Sequence, residues 1–335
     1  MKKRLIIVSI MISLLLIGIF LLAISWGSYN IPLQDVVATL FGNGTRLQNA
    51  TIFDIRLPRI VVAMVVAVCL STAGCILQSV TRNELAEPGM IGINAGAALG
   101  VVLLISSGRT NYYDAIGDAA LFVMPVVAII GSVISGALIY RLSYKKGVSP
   151  TRLILTGIGV NVGINAFISL YQLNMAQGDY NQVLTWTSGS LWGSSWKFFY
   201  LVTPLAILFL ALTIWKVKVL DVLNLGDEIA TGLGVKVEKE RKILFFYAIA
   251  LAGLATSVAG NIAFLGLLGP HIAKRLVGPV HRRQIPVSAL TLIGTDYYLI
   301  HNRKILELSV RHLFQKCFIL LCIDEIGRAS CRERV

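Results

Sequence analysis

Long apolar runs, each closed off by a short polar segment, recur along almost the whole chain. Runs of about 17–25 residues lie near 5–26, 60–80, 89–106, 119–140, 151–173, 198–217, 243–259 and 261–277. As helices rising about 1.5 Å per residue, they are long enough to cross the roughly 30 Å hydrocarbon core of a bilayer. A ninth run begins near Ile285 and loses its apolar character at about Gly294. The pattern predicts an all-α polytopic membrane protein with eight complete spans and part of a ninth. Within the runs, small residues recur at four-residue spacing: Gly92, Gly96 and Gly100, then Ser132 and Gly136, while Gly157, Gly159 and Gly163 crowd one helix. Such spacing lets helix backbones approach closely where lipid offers no hydrophobic drive, and it assigns these glycines to helix packing. One polar stretch stands out. Between Leu220 and Leu244 a charged, glycine-bracketed insert reads as helix, turn, helix.

Composition agrees with the pattern: 56% of the 335 residues are hydrophobic and 14% are charged, against about 25% charged in soluble domains. Lys2, Lys3 and Arg4 precede the first run, and no small-residue cleavage site follows it, so this run reads as a retained span. The net charge of +13 raises the question of nucleic acid. The basic residues cluster in alternate loops, however, which is the positive-inside signature of a membrane protein. With the N-terminus inside, Arg82, then Arg141, Lys145 and Lys146, then Lys236, Lys239, Arg241 and Lys242, then Lys274, Arg275, Arg282 and Arg283 all fall in the cytosol. Cys69 and Cys75 lie within one span and make no disulfide framework.

The candidate chemistry is sparse. The polar residues expected at depth are Gln78, Asn94, Asn161, Asn165 and Asn261, and no Asp, Glu, Lys or Arg falls in the middle of a run. Ion-coupled carriers generally need an intramembrane ionisable group, so this counts against a secondary transporter. The sequence has no H-E-x-x-H, no paired carboxylates and no G-x-x-x-x-G-K-[ST], so an intramembrane enzyme and a P-loop nucleotidase are both disfavoured. Arg56 and Arg59 in IFDIRLPRIV sit on the side where positive charge is disfavoured. They read either as interfacial snorkels or as a docking pair for carboxylates on an extracytoplasmic partner. In the central insert, Asp227 and Glu228 favour a helix starting near Gly226, Asp221 is available as an N-cap, Ile229 and Leu233 give a short apolar face, and Gly234 supplies the stop. That helix suits either a solvated connector or a knob that enters another protein's groove. His271 and His281 have no partner at metal-ligand spacing.

Five separated segments together resemble the FecCD-type permeases, the membrane subunits of ABC importers for iron–siderophores, haem and cobalamin. They are RLPR, RNELAEPGMIGINAGAALG, WTSGSLWGSSW, LGDEIATGLG and GNIAFLGLLGPHIAKRLVGPVHRRQIPVSAL. Glu84 departs from the family's N-P-L-A run, where proline is usual. The resemblance implies a ten-span type II importer fold in the bacterial cytoplasmic membrane. It implies a second permease subunit, identical or paralogous, two cytosolic ATPases that bind the ATP, and an extracytoplasmic substrate-binding protein. The chain itself is expected to bind no cofactor, metal or nucleic acid, only lipid and cargo. Arg56 and Arg59 would meet acidic residues of the binding protein. Asn83, Leu85 and Ser143 would form the cytosolic gate. Gly226, Asp227, Glu228, Ala230, Leu233 and Gly234 would form the coupling helix that docks in the ATPase. A ferric siderophore is the expected cargo, with haem or cobalamin as alternatives.

Residues 1–294 are thus expected to form the permease domain, with the coupling region at 221–240. From Thr295 on, the family texture stops. Asp296, His301, Arg303 and Lys304 interrupt the ninth run, and another reading frame of TDYYLIH restores a family-like Leu-Leu-Ser-Asp-Thr. The ending Glu325–Val335 reads like a translated sequencing adapter. The tail 295–335 is therefore expected to be out of frame, and the chain to be a truncated permease without its last outer loop and tenth span.

Overall fold

A computed structural model describes residues 2–25, 29–107, 120–145, 147–191 and 193–301. Its elements are all helical: α1 (Lys2–Ser25), α2 (Leu33–Leu40), α3 (Arg46–Asn49), α4 (Leu57–Thr81), α5 (Pro88–Ile91), α6 (Ile93–Ser106), α7 (Ala120–Ser143), α8 (Pro150–Leu173), α9 (Gln177–Thr187), α10 (Trp196–Trp215), α11 (Val217–Leu223), α12 (Asp227–Gly232), α13 (Val237–Ala259), α14 (Leu265–Val277) and α15 (His281–His301). A wider π-helical segment, Ala50–Arg56, joins α3 to α4, so Arg46–Thr81 is one continuous 36-residue rod. Its start is fixed by a capping box in which Thr45 and Gln48 satisfy each other's backbone N–H groups. Five helices among the described residues are long and apolar enough to cross a membrane: Arg46–Thr81, Phe122–Ser143, Pro150–Leu173, Trp196–Trp215 and Val237–Ala259.

α4 is the centre of the molecule. From Val62 to Thr81 nearly every side chain is buried, because α13, α14, α15 and α10 pack around it. A helix apolar on all sides suits such a central position. Small residues set the approach: Gly74 backs directly onto the Gly266 carbonyl of α14, and Gly96 of α6 onto Gly131 and Ser135 of α7.

Two predicted spans are not single helices. The run at 89–106 breaks at Gly92, whose φ of +92° ends α5 and starts α6. A side chain there would be strained in the left-handed region and would also press on Asn161. Gly92 is thus a hinge between two helices, whereas Gly96 and Gly100 face α7 within one helix. The run at 261–277 is irregular from Gly260 to Phe264, with φ of +71° and +69° at those two residues, and becomes helical only at Leu265. The 13-residue α14 reaches about 20 Å, short of the roughly 30 Å core. Hydropathy does not place either break, because each depends on a left-handed backbone conformation at one or two residues. In the other direction, the α15 backbone runs through Gly294 to His301. Charged residues end an apolar window without breaking the i→i−4 ladder. The remainder of the suspected tail, 302–335, lies outside the described residues.

Candidate functional site

The loops at the basic end of α4, α7, α13 and α14 converge on α12. Gly226 caps this six-residue helix, and Asp227 and Glu228 occupy its first turn, where negative charge is favoured by the exposed N–H groups. Ala230 is fully buried, while Ile229 and Leu233 are 54% and 62% exposed. The helix therefore rests on Ala230 and turns its two large apolar side chains outward. Its base is pinned by charge. Asp227 Oδ1 accepts from Arg241 Nη2 at 2.7 Å and lies 3.4 Å from Arg82 Nη2, at the end of α4. Arg241, only 2% exposed, also donates from Nη1 to the Val148 carbonyl at 2.7 Å, and Glu238 accepts the Val148 N–H at 3.1 Å. A buried guanidinium is tolerable only when paired in this way. Asp227 thus faces its own subunit, tying α12 to α4, α13 and the α7–α8 turn. Arg241 has no local sequence signal beyond its place in a basic cluster, and its role went unseen.

A second brace lies beside it. Asp221, in α11, does not cap its own segment; its Oδ1 accepts the backbone N–H of His281 at 2.9 Å and so caps α15 from another element. The His281 ring joins Asp221 through Nδ1 at 2.6 Å and Ser79 of α4 through Nε2 at 2.6 Å. Ser79 itself donates to the Cys75 carbonyl at 2.9 Å, so both ring nitrogens of His281 point at acceptors. Burial alone would raise the Asp221 carboxyl. The hydrogen bonds from the His281 ring and backbone, with the ring's charge, hold it below the ordinary carboxylate value. Serine, histidine and aspartate here follow the order of a hydrolase triad, yet Ser79 and His281 are buried and no substrate reaches them. The arrangement locks α4, α11 and α15 together.

The two helix breaks meet in the interior. Asn94 Nδ2 donates to Asn261 Oδ1, and Thr256 Oγ1 donates to Asn94 Oδ1, both at 3.1 Å. Ser135 Oγ donates to the Gly92 carbonyl at 2.8 Å, a second donor beside the Gly96 N–H of the first turn of α6 at 3.2 Å. Pro88 packs on Gly266, which in turn packs on Leu70 and Gly74. Glu87, next to Pro88, is buried in the same packing although it lies outside every apolar run, and its carboxyl accepts from the Phe264 backbone at the break before α14. Glu84, at the family's proline position, pairs instead with Lys274 of α14.

The other predicted residues are spread over both ends. Asn83 Oδ1 accepts the Leu85 N–H at 2.9 Å, and this turn leaves Leu85 exposed. Ser143 is buried with its hydroxyl on the Ile139 carbonyl, so the exposed member of that turn is Tyr144. At the opposite end Arg56 donates to the carbonyls of Ile24 and Tyr29, clamping the end of α1 against the rod. Among the described residues no three His, Cys, Asp or Glu side chains group as a metal site.

The profile of the FecCD transport family matches residues 14–296. The iron(3+)-hydroxamate import system permease protein FhuG of Bacillus subtilis is 44% identical over 86% of this chain and 84% of its own length. The iron-uptake system permease protein FeuC of the same organism is 36% identical over 79% of each chain. The Fe(3+) dicitrate transport system permease protein FecD of Escherichia coli is 34% identical over 84% of this chain and 85% of its own. A structure described as an inward-facing metal-chelate type ABC transporter superposes with a TM-score of 0.79 at 25% identity, covering 91% of this chain and 92% of that one.

Proposed function

This chain belongs to the FecCD transport family, and from that membership we propose that it is the membrane-spanning subunit of an ATP-binding-cassette importer for a ferric siderophore, of the hydroxamate class. The observation that carries the reading is the 44% identity with a permease protein of an iron(3+)-hydroxamate import system over most of both chains. The geometry supports it with an outward apolar pair, Ile229 and Leu233, on a helix whose base is fixed to the subunit. That is the form of a lever seated in another protein's groove.

In this reading the basic face is cytosolic and the N-terminus lies inside, as positive-inside bias requires. ATP binds and is hydrolysed on two partner ATPases, with no cofactor on this chain. Their closure moves α12, and the Asp227–Arg82 contact passes the movement to the end of α4. The irregular backbone at Gly92 and Gly260–Phe264 supplies the points about which the half-helices shift, and the exposed face of α8 meets the second permease subunit. Arg56 and Arg59 face the binding protein. The test is reconstitution of the full chain with its partner permease, ATPases and binding protein in proteoliposomes. Uptake of labelled ferric hydroxamate should require ATP. Uptake driven by an ion gradient in the absence of the ATPases would overturn the reading.

A further inference from the structure

Between the basic ends of α7 and α13 lies a cleft of about 910 Å³ whose walls carry Arg141, Lys239 and Lys242 beside Tyr140 and Tyr144. We propose that this cleft binds the phosphate headgroup of an anionic phospholipid of the adjoining leaflet. Among the described residues none of the three cations has a carboxylate partner. Glu238 is the one acid in the wall, and it is already engaged: both its oxygens accept the Val148 N–H, at 3.1 and 3.2 Å, and Arg241 stands 3.6 Å away. The cleft thus presents three positive charges to a single space, against the one carboxylate of Glu238.

Helical spacing continues that space into an apolar track. On α7, Ile134 and Leu138 precede Arg141 and Leu142 by one and two turns on one side, and Leu138 is 44% exposed. On α13, Phe246 follows Lys242 by one turn and is 48% exposed. Each helix therefore shows a stripe that is greasy toward the middle of the span and basic at its end. Tyrosine sits where such amphipathic rings favour the membrane interface. An arginine fork and two lysines suit a phosphodiester, and the greasy stripe suits its acyl chains. A soluble anion would use only the first half of the site, and an acidic protein surface would leave the second half without a counterpart. The lysines flank Arg241 on α13, so a bound headgroup would also steady the helix that holds the coupling helix in place.

The inference rests on the chain being membrane-spanning and requires no partner subunit, so its failure would leave the importer reading standing. The full chain, purified from bilayers of equal phosphatidylglycerol and phosphatidylcholine, is examined by native mass spectrometry. The wild type should retain phosphatidylglycerol preferentially. The triple variant Arg141→Gln, Lys239→Gln, Lys242→Gln should lose that preference by about tenfold or more. The charge-preserving triple Arg141→Lys, Lys239→Arg, Lys242→Arg should keep it, as should Lys218→Gln, which removes a charge outside the cleft; retention by both also shows that the loss is not one of folding. Three outcomes would overturn the proposal: equal retention of the two lipids by the wild type, an unchanged preference in the neutral triple, and displacement of the lipid by millimolar inorganic phosphate. An unchanged preference joined to lost ATPase binding would assign the cleft to the ATPase interface.

Discussion

A methyl group added at Gly74 would lie 1.8 Å from the Gly266 carbonyl oxygen, a backbone atom with no rotamer to yield. Around Gly163 of α8 nothing lies within 4 Å. Gly74→Ala should therefore destabilise the subunit by about 1–3 kcal/mol or more through overpacking, while Gly163→Ala should be neutral or stabilising by up to about 1 kcal/mol from helix propensity. Thermal unfolding in detergent, read side by side, checks both. The Asp221–His281 contact gives a second test with a pH sign. The folded-state carboxyl lies below its ordinary 3.8. Its stabilisation is therefore complete above that value, neutral pH included, and is lost as the pH falls through the lower folded value. Asp221→Asn should cost about 1–3 kcal/mol at neutral pH and flatten the acid limb of the stability profile. Matching acid limbs in wild type and variant would exclude the brace.

α12 is an element whose two faces predict different phenotypes. Ile229→Ser with Leu233→Ser changes only exposed side chains, so the subunit should fold and insert normally while ATPase binding and ATP-driven uptake fall together. Binding and uptake at wild-type levels would remove α12 from the coupling role. Bulking Ala230 is a poorer probe, because Ala230 is fully buried and its replacement disturbs the seat of the helix as well as its contact. Six residues cannot hold a helix unaided. What holds α12 is the Arg241–Asp227–Arg82 cluster, so Arg241→Ala should loosen α12 and leave the half-exposed Asp227 with Arg82 alone, at a cost of about 1–3 kcal/mol. The broken elements follow the same logic. α14 is too short to cross alone, and the break before it is held by Glu87, which accepts from the Phe264 backbone, beside the mutually bonded Asn94, Asn261 and Thr256 side chains.

For the whole molecule, the opposite end supplies the remaining prediction. Reversing Arg56 and Arg59 together should weaken docking of the binding protein. Arg56 also clamps the end of α1, so lost docking alone would not separate contact from misfolding. Recovery on reversing the partner's acidic residues would, since a misfolded face is not rescued by charge on another protein. Unchanged docking would leave the arginines as interfacial anchors.

The sequence by itself determined the class of the protein, the approximate positions of its apolar helices and the existence of a short capped helix with Ile229 and Leu233 on one face. Those properties are local: hydropathy, charge and capping are written within one helix length of where they act. Only the tertiary structure decided which polar residues turn inward and where apolar spans stop being helices. Asp227 and Arg241, His281 and Asp221, Asn94 and Asn261 meet across 14, 60 and 167 residues. Glu87 is buried against the Phe264 backbone only because the chain folds back at a loop that composition cannot distinguish from a simple turn. The breaks at Gly92 and Phe264 are left-handed residues, a backbone choice that hydropathy does not record. They persist in tertiary company: Ser135 adds a second donor to the Gly92 carbonyl, and Glu87 accepts from the Phe264 backbone.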